Sequence, residues 1–117
     1  MNIDKLRQFC LSMPHATEDV KWGNDLTFLI GGKMFAVTGL EEAKASISFK
    51  CTPEKFAELV EIDGIRPAHY VARYHWVTIE NTDAVKPDEL KSLIENSYEM
   101  VRDKLPKKLR DEFSGKQ

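Results

Sequence analysis

Gly31-Gly32-Lys33 comes nearest to a chemical motif, because a glycine pair before a lysine is how nucleotide-binding loops cradle phosphates. The spacing excludes that chemistry. A phosphate loop would need glycine at position 27 and a hydroxyl at position 34, and those positions hold Thr27 and Met34. The same glycines tolerate the positive φ angles of a two-residue hairpin turn, which sets Lys33 at a hairpin tip.

The three histidines, His15, His69 and His75, show no pair at the i, i+4 spacing of a zinc helix and no cysteine or carboxylate at a supporting spacing. No metal site is expected, and each histidine reads first as structural or hydrogen-bonding. His69 and His75 stand out because they flank an aromatic segment. There is no Gly-x-Ser-x-Gly elbow, and neither Cys10 nor Cys51 has a context that favours thiolate. The expectation is no catalytic residue, no cofactor and no enzyme. The densest positive run is Arg102, Lys104, Lys107, Lys108 and Arg110, which reads first as a solvated helix end offsetting the macrodipole. Trp22 and Trp76 are expected to pack in or against the core, with stacking on a ligand as the alternative.

Positioning these groups requires an α+β chain. Asn2 caps a helix whose stripe is Ile3, Leu6, Phe9, Cys10 and Met13, ended by Pro14; the chain then turns extended. Thr27–Ile30 and Lys33–Thr38 form the hairpin, with Phe28 opposite Phe35 and Leu26 opposite Val37. A charged turn, Glu41 to Lys44, leads to an alternating strand, Ala45–Lys50, and Thr52-Pro53 starts a short helix that Gly64 follows. Arg66-Pro67 is extended, and Arg73–Glu80 alternates as a further strand. A long helix runs from about Pro87 to Leu105, Pro106 ends it, and Lys107–Phe113 forms a short last helix. One domain over residues 1–113 is expected, with residues 114–117 as a disordered tail.

The composition sets limits on function. At 117 residues and 42% apolar content the chain can build one core without metals or staples. A formal net charge of −2 denies it the overall basic field of a non-specific nucleic-acid binder, so any such contact needs a local basic patch. No apolar run has signal-peptide or membrane-span length, which points to the cytoplasm, and the two widely separated cysteines read as reduced core thiols.

Trp22-Gly23, Gly32-Lys33-Met34-Phe35-Ala36, Lys50, Pro67-x-His69, Arg73-x-His75-Trp76, Ser97-Tyr98 and Leu105-Pro106-Lys107-Lys108, in that order over nearly the whole chain, resemble the MmcQ/YjbR family. The resemblance implies an antiparallel sheet with hairpin wings and N-terminal and C-terminal helices packed on it, a double-wing, DNA-binding-like domain. By matching position it marks Lys33, Lys50, Arg73, His75 and Trp76 as ligand contacts, with Trp22 and His69 beside them. Arg73 stands where the family commonly has lysine, which keeps the charge and adds a planar donor fork; Lys21 stands where it often has proline. The function this implies is a small monomeric DNA-binding or DNA-associated protein that contacts phosphates through Lys33, Lys50 and Arg73. The alternative is a protein-interaction or small-ligand module, with an acidic protein partner favoured by the same cations.

Overall fold

The computed structural model describes residues 1–40, 44–69 and 71–113. Helix α1 (Ile3–Ser12) starts where the Asn2 side chain accepts the Lys5 N–H at 2.8 Å, and it buries Leu6 and Cys10. Strands β1 (Thr17–Lys21), β2 (Asp25–Ile30), β3 (Lys33–Gly39) and β4 (Ile47–Lys50) follow as an antiparallel meander. Helix α2 (Pro53–Leu59) begins at Thr52, whose hydroxyl accepts the Lys55 N–H at 3.1 Å, with proline where no helical N–H is needed. Then come β5 (Ile65–Pro67), β6 (Trp76–Ile79), α3 (Pro87–Asp103) and α4 (Lys107–Phe113). The six strands form one sheet ordered β1-β2-β3-β4-β6-β5, all neighbours antiparallel.

The core lies between one sheet face and the helices. Phe28, Ile30, Phe35, Ile47, Phe49, Val77 and Ile79 meet Leu6, Cys10, Leu90, Leu93, Ile94 and Tyr98 there. Each such side chain withdrawn from water contributes about 1.5–3 kcal/mol before conformational entropy is subtracted. Tyr98 also ties α3 to the segment after α1, its hydroxyl donating to the Pro14 carbonyl at 2.6 Å. His15 holds the end of α4: its ring stacks on Phe113 at 4.7 Å, and Nε2 lies 3.0 Å from the Phe113 carbonyl.

Two sequence expectations are corrected. Phe28 faces Ala36 rather than Phe35, and Leu26 faces Thr38, because a bulge after Leu29↔Met34 inserts Phe35 as an extra residue in β3. The bulge turns Phe35 into the core, where its ring meets Tyr98 edge-on at 5.3 Å. The strand expected over Arg73–Glu80 spans only Trp76–Ile79. Its strand partner β4 ends opposite Trp76 at Lys50 and passes directly into the α2 cap, so residues 73–75 have no ladder to join. Ala72–Tyr74 is instead a 3-10 turn in which the Tyr74 and His75 N–H groups donate to the Val71 and Ala72 carbonyls, and His75 adopts φ 65° as its cap. Strand β1 was not anticipated as a separate element. Residues 41–43 of the charged turn and the tail 114–117 lie outside the described residues.

Both cysteines are free and buried, as core thiols should be. Burial pushes the Cys10 thiol up to about 12 and the Cys51 thiol up to about 11. Because the folded-state values are raised, this contribution to stability is whole below the unfolded thiol value and is lost as pH rises from there toward the folded values. We expect an aromatic disulfide reagent near pH 8 to leave Cys10, which has no exposure, unlabelled in the native chain and to label it in urea. Rapid native labelling of Cys10 would mean that this thiol opens to solvent without global unfolding.

Candidate functional site

The tight turn between β2 and β3 takes Gly31 at φ 58° and Gly32 at φ 81°, and a side chain at Gly31 would strike Leu105 just beyond α3. The tip bearing exposed Lys33 is therefore fixed beside the C-terminal end of α3. Antiparallel pairing of Ala36 with Phe49 brings the start of β3 to the end of β4, where Lys50 lies. Pairing of Lys50 with Trp76 brings in the start of β6, with His75 just before it. One end of the sheet thus collects Lys33, Lys50, His75 and Lys104, the residue capping α3. Arg73, in the 3-10 turn, and exposed His69, just past β5, belong to the same end by chain position.

Local bonds hold this end rigidly. The Ser97 hydroxyl, fully buried on α3, donates to the Phe35 carbonyl at 2.7 Å and accepts the Lys50 N–H at 3.0 Å, bridging β3 and β4 where their ladder stops. The His75 carbonyl accepts from the Cys51 N–H at 2.9 Å, and the His75 ring meets Phe56 edge-on at 5.6 Å. Lys50, Pro53, Tyr74, His75, Met100 and Lys104 line a cleft of about 540 Å³. Burial lowers the Lys50 ammonium below its ordinary pKa, and the charge of Lys104 pushes it the same way. Among the described residues, neither lysine has a carboxylate in ion-pair range. Asp103 also lines the cleft but is paired with Arg102 at 3.2 Å, so two like charges beside the cleft make a local electropositive spot on a chain of net charge −2.

The two tryptophans part company. Trp76 is buried, so of the roles left open it takes packing. Trp22 contradicts the packing expectation: it is 70% exposed, in the turn between β1 and β2 at the opposite end of the sheet. The six-residue strand β2, at about 3.4 Å per residue, separates it from Lys33 by about 20 Å. A bulky ring at φ 53° ahead of Gly23 at φ 84° occupies a position that asparagine suits far better. Trp22→Asn is therefore expected to raise stability by about 1 kcal/mol in urea unfolding, since the αL strain is relieved and little buried contact is lost. A fall of that size would mean that the indole contributes to folding.

Lys104 and Met100 were missed as site residues. Lys104 stands in the basic run expected to be a solvated helix end, and nothing in the pattern of the helix from Pro87 singles out Met100. Only the packing of α3 across β3 and β4 brings them to Lys50. Among the described residues no group of three or more His, Cys, Asp or Glu is placed to hold a metal ion, and no helix is long and apolar enough to cross a membrane.

A six-stranded antiparallel sheet with tight hairpins, backed by helices, is the fold of DUF419-type proteins. The crystal structure of the Deinococcus radiodurans protein DR2400, which carries that domain, matches with a TM-score of 0.88 at 29% identity, over 97% of this chain and 88% of that one. A Pseudomonas syringae protein structure shares the fold with a TM-score of 0.71 at 23% identity, over 86% of this chain and 99% of its own. The YjbR family model matches residues 11–100, and the chain belongs to the YjbR family. Escherichia coli K12 YjbR is 26% identical over 113 residues, 94% of this chain and 95% of that protein. YbdF of Escherichia coli O157:H7 is 28% identical over 82 residues, 69% of this chain and 67% of its own.

Proposed function

We propose that this chain is a nucleic-acid-binding module of the cytoplasm, a monomer that takes phosphates at the lysine end of its sheet. The observation that carries the reading is the Lys50–Lys104 pair: two like charges lining one open cleft, where burial and the charge of Lys104 both lower the pKa of Lys50. A phosphate there would offset both charges through charge-assisted hydrogen bonds. Lys33 extends the cationic rim, and Arg73 and His69 follow in the same loop-rich end. The activity is binding rather than catalysis, with no cofactor invoked. Labelled DNA titrated by fluorescence anisotropy at about 50 and about 200 mM salt tests it, because counterion release predicts saturable binding with a steep loss across that range. Absence of binding to folded protein at the lower salt would refute it.

A second reading is favoured by one distinct observation. Val20, Trp22 and Leu40 are large, exposed apolar side chains near the β1–β2 end of the sheet. That tip fits a protein-interaction module, and a protein complex that survives salt able to abolish DNA binding would favour it over the nucleic-acid reading.

A further inference from the structure

The cleft at Lys50 continues into a second one of about 520 Å³, the two sharing Cys51, Thr52, Met100 and Asp103. Together they form a groove between the C-terminal half of α3 and the junction of β4 with α2. Its two halves differ in charge. The first carries Lys50 and Lys104; the second carries Asn96 and Glu99, with Leu93 below. Lys55 also lines the second half, but its ammonium is engaged by Glu58 at 3.2 Å. Asp103 borders both halves and is paired with Arg102 at 3.2 Å.

This asymmetry disfavours a polyanion running the full length of the groove, because a second phosphate would meet Glu99. It suits one phosphate at the cationic half followed by an uncharged planar group. A nucleobase has that form: it stacks over the thioether of Met100 and offers amino groups to the acceptors of Asn96 and Glu99. We propose that the groove holds one unstacked nucleotide, so that the chain prefers single-stranded nucleic acid to duplex. This rests on the reading of Lys50 and Lys104 as phosphate contacts. In a duplex the bases are stacked and paired, and placing one in the groove costs a few kcal/mol of unstacking, whereas a single strand has no pairing to lose.

The test titrates the full chain with one short mixed-sequence oligonucleotide, labelled, as a single strand and as its blunt duplex. The single strand should bind about tenfold more tightly. Met100→Trp, which fills the groove, should bring the single strand down to the duplex value and leave the duplex unchanged, while Met100→Leu keeps the preference. Independently of any variant, a nucleoside 5′-monophosphate should displace the single strand at a lower concentration than inorganic phosphate does, because only the nucleotide brings a base to the groove. Equal affinity for the two forms, or a preference that survives Met100→Trp while the mononucleotide displaces no better than inorganic phosphate, overturns the groove assignment and leaves the lysine reading standing. No binding of either form overturns both.

Discussion

Ser97→Ala is expected to cost the fold about 3 kcal/mol. The Ser97 hydroxyl is the partner of two backbone groups at once, the Phe35 carbonyl and the Lys50 N–H. Alanine leaves both without it in a region where Ser97 itself has no exposure, and each buried unsatisfied group costs about 1–3 kcal/mol. Against a total stability of about 5–15 kcal/mol for a domain of this kind, that loss is large. Urea unfolding of the purified variant measures it. A cost below about 1 kcal/mol would mean that β3 and β4 close to bond each other directly, or that water takes the hydroxyl's place. The same substitution should loosen the position of Lys50, so its effect on ligand binding should exceed what its effect on folding explains.

Reversing the two facing lysines is expected to have the largest effect on binding. Lys50→Glu with Lys104→Glu should weaken DNA binding by about two orders of magnitude at about 50 mM salt and flatten the salt dependence by about two ion releases. The single Lys50→Glu variant separates binding from stability: it converts a repulsive pair into an attractive one, so affinity falls while stability is maintained or rises. Since burial and Lys104 lower the pKa of Lys50, its folded state sheds the proton at a pH where an unfolded lysine still holds it. Stability contributed by this group therefore rises with pH through that alkaline window, whereas phosphate affinity falls there. Lys104→Met should move both transitions to higher pH. A double reversal that left affinity untouched would show that phosphate binds elsewhere than at the lysine end.

Most of the architecture was legible because caps and turns are local. Asn2, Thr52-Pro53, Gly31-Gly32 and Pro87 mark their elements through contacts within a few residues, and each stands where the pattern put it. The β2–β3 register was not legible past the turn, because the bulge at Phe35 answers to Tyr98, sixty-odd positions away in the chain. The misjudged strand at Arg73–Tyr74 has the same origin. Its residue types favour extended backbone, but the neighbouring strand stops at Lys50. Of the candidate residues, Lys33, Lys50 and His75 converge because antiparallel pairing carries strand ends to one place, whereas Trp22 belongs to a turn at the other end of β2. Lys104 joins them only through the packing of α3, which no spacing in the chain encodes.

Whether ligand arrives at the lysine end is decided by amide chemical-shift mapping of isotope-labelled protein during titration with single-stranded DNA. The predicted result is saturable shifts at Lys33, from Lys50 through Thr52, at His75 and at Lys104, with the Trp22 indole signal unmoved. Shifts gathered instead at Val20, Trp22 and Leu40, or none at saturating DNA, would contradict binding at the lysine end.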